Sequence, residues 1–260
     1  MNLNAVRLFA LMQLEKAKSF SHTIKFAEQR SQKSLTANRS EEIRVDASIA
    51  DDPEFASLAI GDGVGAWTTI AAVDLRGSTS LADNLTPRET YLMAHTLLPT
   101  LAHVCEKKGG SVMNFRGDGL FASFGLKKHR IEDIKADPST KHIEESNSNA
   151  VVCGLALVEA TIEAVQPALE TEDIFVDLQV GVGVDCGHVV ITRVGWMTAQ
   201  ELTAYGSAVN HACKLSTGQN EVLLSPNVHE QYPSSEGGTM QLRYRDGGYQ
   251  ASSPNKMLRR

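Results

Sequence analysis

The stretch "VMNFRGDGLFASFG", residues 112 to 125, reads as two short apolar strands folded about a Gly-Asp-Gly turn. Its tip carries a carboxylate, Asp118, and the chain then runs at once into Leu120, Phe121 and Ala122. Aspartate tolerates the backbone angles of a tight turn, so a lone Gly-Asp is, by itself, only a turn. Alternation along the hairpin assigns Phe115 and Phe121 to the core side. Whether Asp118 does more depends on what the chain brings beside it.

Upstream, "WTTIAAVD" (67 to 74) is β-branched and apolar, the pattern of a central strand buried on both faces. The strand ends in "VDLRGSTSL": Asp74 sits where it runs out, and Gly77, Ser78 and Thr79 lead into a helix. A carboxylate at a strand end, beside small residues that open a helix, can hold a cation bridging to a phosphate chain. The plain alternative is a helix cap. If this strand lies beside the hairpin in one sheet, Asp74 and Asp118 meet, and two carboxylates there could clamp two divalent ions. Such a pair serves in-line displacement at phosphorus. Downstream, "YGSAVNHACKL" sets Asn210 and Lys214 four residues apart on one helix face. An amide and an ammonium so placed could hold a sugar and the charge developing on phosphate oxygens; alone, they are an ordinary solvated pair.

The rest of the chain frames these pieces. Residues 1 to about 46 carry spaced apolar positions (Val6, Phe9, Leu11, Leu14, Phe20, Ile24, Phe26) and predict one or two amphipathic helices packing on a partner or on the main domain. The expected organisation is an N-terminal helical segment over 1–50, a linker over 51–66, a catalytic domain over 67–232 and a weakly patterned extension over 233–260. "LTPRETYLMAHTLLPTLAHVCEKKGG" opens with Thr86 as N-cap, Pro87 at the first helical position and Glu89 in the capping-box place. Pro99 predicts a kink or break in that helix. Residues 127 to 149 are charged and predict an exposed excursion. A buried helix is expected over 150–165, and a second hairpin over 174–195 with its turn near Asp185-Cys186-Gly187. A short helix over 204–217 and a strand over 221–226 follow. His188 and His211 read as surface residues with no specific role, Trp67 and Trp196 as packing residues. Strands that both alternate with helices and pair as hairpins indicate an α+β sandwich.

Composition bounds the function. At 260 residues with 42% apolar side chains, the chain can bury a substantial core. A net charge of −6 argues against a nucleic-acid-binding surface. Cys105, Cys153, Cys186 and Cys213 lie far apart without paired metal spacing, the pattern of core thiols in a reducing compartment. No uninterrupted apolar run approaches the roughly 18 residues that span a bilayer. The expectation is a cytoplasmic protein without a membrane partner.

Over roughly residues 66 to 226 these segments resemble the catalytic domain of class III nucleotidyl cyclases. The resemblance rests on "VDLRGSTSL", "FRGDGLFASFG", "VGVGVDCGHVV" and "AYGSAVNHACKL", in that order, with the two aspartates 44 residues apart. It implies an α+β, ferredoxin-like sandwich of a mostly antiparallel sheet with packed helices, working as a head-to-tail homodimer with composite active sites. It implies Asp74 and Asp118 as ligands of two divalent cations, Mn2+ or Mg2+, with the Leu75 carbonyl as a further ligand. Gly77, Ser78 and Thr79 would lie against the β- and γ-phosphates of a nucleoside triphosphate. Asn210 and Lys214 would reach in from the opposite subunit. The 3′-hydroxyl would attack the α-phosphorus and expel pyrophosphate.

Four departures from the family pattern carry information. Lys214 stands where the family usually has Arg, keeping the charge and losing the bidentate fork. Ser78 replaces the commoner Phe, and no second basic residue near the C-terminus matches the family's triphosphate holder. At the base-facing positions stand Asn114 and Thr203, which match neither purine pair. The "RGST" strand end and the lack of a recognisable sensor domain are similar to the bacterial pyrimidine cyclases of antiphage defence. That similarity favours UTP over CTP and a separate effector that reads the cyclic product. An adenylate cyclase and a catalytically silent regulatory module remain the alternatives.

Overall fold

The computed structural model describes residues 1–27, 52–129, 138–233, 238–245 and 247–258. In chain order its elements begin with α1 (Leu3–Ala27), α2 (Pro53–Ala56), β1 (Gly63–Leu75), α3 (Ser78–Asn84), α4 (Pro87–Lys107), β2 (Gly110–Arg116) and β3 (Gly119–His129). Next come α5 (Thr140–Ala160), a π-helical turn over Thr161–Val165, α6 (Gln166–Glu170), β4 (Val180–Trp196) and β5 (Ala199–Tyr205). The chain closes with α7 (Ser207–Leu215), β6 (Glu221–Leu224), α8 (Pro226–Glu230), β7 (Gln241–Arg245) and β8 (Gly248–Ser252).

The eight strands form one sheet in the order β2-β3-β1-β4-β6-β8-β7, with β5 paired to β4. Its core, β2-β3-β1-β4 with one helical crossover between β1 and β2 and another between β3 and β4, is the ferredoxin-like arrangement. Those pairings are antiparallel; β4 and β6 run parallel. The apolar run of β1 is buried on both faces. Trp67, Ala71, Val73 and Leu75 join the core under α1, α4 and α5, and Ala66, Ile70 and Ala72 join a second core with α2, α7 and Val189. Period-two alternation therefore sends Asp74 to the α7 side.

Helix α4 starts on the expected capping box: Thr86 Oγ1 accepts from the Glu89 N–H at 3.3 Å, and Glu89 accepts from the Thr86 N–H at 2.8 Å. It runs through Pro99 as one helix, with the Thr96 and Thr100 hydroxyls bonded to the carbonyls of Leu92 and Thr96 on either side. Helix α1 lays Leu3, Val6, Ala10, Leu14 and Ala17 against the core, while Leu11 and Phe20 stay exposed. The N-terminal reading over 28–46, and the side chains of Ile24 and Phe26, lie outside the described residues.

Phe9 of α1 stacks on His103 of α4 with ring centroids 4.2 Å apart. Burial, helped by Lys107, pushes the His103 imidazole below its ordinary value of 6.5. The depressed value means that the unfolded chain takes up this proton more readily than the packed one. The contribution is therefore complete above about pH 6.5 and is lost as pH falls through the lowered value. Substituting His103→Phe keeps the stack and removes the titration. It is expected to flatten part of the fall in melting temperature between pH 7.5 and 5; an unchanged fall contradicts this.

Several expectations are corrected. The excursion over 127–149 instead holds the end of β3 and the first turns of α5, with 130–137 outside the described residues. Asn147 in this polar run is fully buried, because its side chain accepts from Thr69 Oγ1 of β1 at 2.8 Å. With those turns included, Thr140–Glu170 becomes a 31-residue helical run long and apolar enough to cross a membrane, and it is more than half buried within the fold. The second hairpin does not turn at Asp185-Cys186-Gly187. β4 passes straight through as a 17-residue strand, paired with β1 from Val180 to Thr192, and the reversal comes at Met197. The expected connection over 51–66 contains α2 and the first residues of β1, and the weakly patterned tail supplies β7 and β8 to the sheet edge. Trp67 is buried as expected, but Trp196 is 75% exposed at the β4–β5 reversal. Phe121 is buried, and Phe115, at the end of β2 beside the Gly-Asp-Gly turn, is half exposed.

Candidate active site

The register between β1 and β3 sets Val73 opposite Leu120. One step further, Asp74 lies beside Gly119, with Asp118 next in the turn. The fit is close: a Cβ on Gly119 would stand 2.1 Å from the Val73 carbonyl oxygen and 3.3 Å from Asp74 Cα. Only glycine allows the turn to approach the end of β1 this way. Gly117, at φ 58°, supplies the left-handed residue that the reversal needs. The end of β1 that carries Asp74 and the turn that carries Asp118, remote in sequence, therefore meet at one end of the sheet. Asp74 pairs with Arg76, whose Nε is buried and has no hydrogen-bond partner.

A pocket of about 220 Å³ opens beside Asp74, walled by Ala72, Arg76, Arg116, Phe121, Cys213 and Thr217. Gly77, at φ 66°, turns the chain from β1 into α3, leaving Thr79 exposed and Ser78 half-buried just past the carboxylate. The donor set suits Mg2+ or Mn2+: hard carboxylate oxygens, with the Leu75 carbonyl at the strand end beside them. Among the described residues no group of three or more His, Cys, Asp or Glu side chains could hold a metal ion. Two carboxylates that leave room for phosphate oxygens are the sparse kind of site that Mg2+ adopts with nucleotides.

Helix α7 lies on the same face as Asp74. Its close approach to β4 depends on Gly183, where a Cβ would meet the Ala212 carbonyl oxygen at 1.9 Å. Buried Ala208, Val209 and Ala212 face the sheet, while Asn210 and Lys214 share the outer face, exposed to solvent. His211 also has an assigned contact: its Nδ1 lies 3.1 Å from the buried Asp185 carboxylate. Asp185 further accepts from the Cys186 N–H at 2.8 Å and from the Ser225 hydroxyl. This satisfied buried carboxylate is what the apparent turn sequence at 185–187 encodes. Burial, with Asp185 alongside, pushes the Cys186 thiol up to about 12.

The expected base-facing residues come together. Asn114 Nδ2 lies 3.4 Å from Thr203 Oγ1 and donates to Glu201 at 2.6 Å. Arg116 donates to Thr203 Oγ1 at 3.0 Å, with its guanidinium carbon 4.8 Å from the centre of the Phe121 ring. Sequence reasoning passed over Glu201, Arg116 and Arg76. Two-residue spacing from Thr203 along β5 and from Asn114 along β2 is the signal that could have found the first two.

Sheet order and the helices packed on both of its faces define a ferredoxin-like α+β sandwich. The chain belongs to the adenylate and guanylate cyclase catalytic domain family, whose profile matches residues 67–247. It is 26% identical over 153 residues to a uridylate cyclase of Rhodovulum sp. (strain MB263), covering 57% of each chain. A uridylate cyclase of Burkholderia cepacia is 26% identical over 151 residues, 57% of this chain and 58% of that relative. The chain thus spans somewhat more than half the length of these curated relatives. Among solved structures, the adenylyl cyclase CyaB from P. aeruginosa shares the fold with a TM-score of 0.60 at 20% identity, covering 76% of this chain and 99% of that one.

Proposed function

We propose that the protein is a nucleotidyl cyclase that converts a pyrimidine nucleoside triphosphate, UTP in preference to CTP, into its 3′,5′-cyclic monophosphate and pyrophosphate. The observation that supports the proposal is the close seating of Gly119, next to Asp118, on the backbone at Val73 and Asp74, where Asp74 lines a pocket with Arg76 and Arg116. Asp74, Asp118 and the Leu75 carbonyl would hold two divalent cations. When bound, the cations acidify the 3′-hydroxyl and neutralise charge on the phosphates.

The chain's own groups do the rest. Gly77, Ser78 and Thr79 cradle the β- and γ-phosphates, and Arg76 adds positive charge beside them. Asn210 orients the ribose, and Lys214 meets charge growing on the α-phosphate oxygens. As the bond from O3′ to the α-phosphorus forms, the bond to the β-bridging oxygen breaks. Pyrophosphate leaves with that electron pair, and the hydroxyl proton passes to solvent.

Asn210 and Lys214 point to solvent from the outer face of α7, which supports their serving a site on a second copy in a head-to-tail homodimer. Exposed Trp196 and Met197 at the β4–β5 reversal offer apolar surface for that contact. Support for a pyrimidine comes from Asn114, which leaves neither purine pair intact, and from the uridylate cyclases among the relatives; Thr203 is compatible with adenine and is what the adenylate alternative rests on. The role as a second-messenger source in antiphage defence, with a separate effector, rests on the sequence resemblance alone.

Incubation of the purified protein with each of the four ribonucleoside triphosphates and Mn2+, with chromatographic separation of products, tests the proposal. Cyclic UMP as the main product is expected. Product from ATP alone would establish the adenylate alternative. No cyclic product from any nucleotide, together with dimerisation or nucleotide binding, would establish the silent module.

A further inference from the structure

We propose that Glu201 is a specificity-positioning residue. By accepting from Asn114 Nδ2, it locks the Asn114 amide so that the carbonyl, and not the NH2, is left for the nucleotide base. This rests on the pyrimidine cyclase reading and deepens it.

An asparagine amide presents an acceptor on one side and two donors on the other, and turning it over exchanges them. A carboxylate only accepts, so Glu201, 2.6 Å from Nδ2, fixes which side is which. The Thr203 hydroxyl oxygen, 3.4 Å from the same nitrogen, agrees with that orientation. The consequence is visible in the structure: Asn114 Oδ1 is buried and has no hydrogen-bond partner. A buried, unpaired carbonyl is costly, and a ligand N–H would relieve it.

Uracil carries an N–H at N3, flanked by carbonyl oxygens. Cytosine has a bare lone pair at N3, which the Asn114 carbonyl would repel. Arg116 supplies the neighbouring donor. Held at 3.0 Å from Thr203 Oγ1 and against the Phe121 ring, it is the exposed side chain that shifts to meet a uracil carbonyl. A locked acceptor beside an exposed guanidinium donor thus matches uracil and mismatches cytosine. Guanine shares the N–H and carbonyl edge, so its exclusion would depend on size and not on this lock.

The test is the ratio of kcat/KM for UTP to that for CTP in wild type, Glu201→Gln and Glu201→Ala. A glutamine at 201 can donate or accept, and alanine does neither, so either change frees the Asn114 amide to turn. The ratio is expected to fall about tenfold or more, with UTP turnover kept within about threefold and Glu201→Asp retaining most of the selectivity. A ratio unchanged in both variants overturns the proposal. So does an equal loss of turnover on both substrates, because it would mark Glu201 as merely structural. Failure of the parent reading looks different: the wild-type protein then makes no cyclic pyrimidine nucleotide at all.

Discussion

Asp74→Asn and Asp118→Asn are each expected to cut cyclic-nucleotide formation about 1,000-fold or more, corresponding to about 4 kcal/mol of lost transition-state stabilisation. The folded protein should survive both changes. The Asp74 side chain is 39% exposed, and Asp118 sits at a turn tip, so an isosteric amide disturbs little packing. Asparagine keeps the shape and removes the charge that a divalent cation needs. Asn210→Ala should cost about 100-fold or more by a different route, removing a group aimed at the reacting nucleotide and no metal ligand.

If sites are composite, these defects complement one another. An Asp74→Asn subunit still offers Asn210 and Lys214, and an Asn210→Ala subunit still offers both carboxylates. Random mixing makes about half the dimers mixed, each with one of its two sites intact. Activity should then recover to about a quarter of wild type. No recovery after subunit exchange, in a protein shown to be dimeric, would place all the groups of a site on one chain.

The second large effect is expected at Gly119. An alanine there drives its Cβ into the Val73 carbonyl oxygen, 2.1 Å away. Because the obstacle is the backbone of a fully paired central strand, no side chain can swing aside. Either β3 separates from the end of β1 or the turn is rebuilt. Overpacking of this kind costs typically about 1–3 kcal/mol, a drop of several degrees in melting temperature, and it moves Asp118 away from Asp74. Turnover should therefore fall well beyond what the lost stability explains. Gly77→Ala is the contrasting case, since open space surrounds its Cβ and the strain comes only from the positive φ. Wild-type melting temperature and activity in Gly119→Ala would contradict the described register.

Where the decisive physics was local, the sequence was legible. The apolar and β-branched run from Trp67 to Val73 demanded burial on both faces. Thr86, Pro87 and Glu89 could only open a helix, and the Gly-Asp-Gly tip between apolar strands could only turn. Those features located both carboxylates. Features satisfied at long range were misread. Asp185 beside Cys186 and Gly187 looks like a turn until Ser225 and His211, distant in sequence, are seen to satisfy it. Asn147 looks like loop chemistry until Thr69 is found against it. Strand β8 is recognisable mainly through its pairing with β6, and Trp196 shows that a large aromatic at a reversal need not be buried. The cluster proposed to face the base fell between these cases. Asn114 and Thr203 were marked by resemblance, whereas Glu201 and Arg116 entered only when β2 and β5 were placed side by side.

The most direct measurement is electron paramagnetic resonance of Mn2+ titrated into the protein with a non-cyclisable UTP analogue. The account predicts two Mn2+ ions per bound nucleotide, close enough to couple magnetically, with the coupled signal lost in both Asp74→Asn and Asp118→Asn. A single uncoupled ion, unaffected by either substitution, would contradict it.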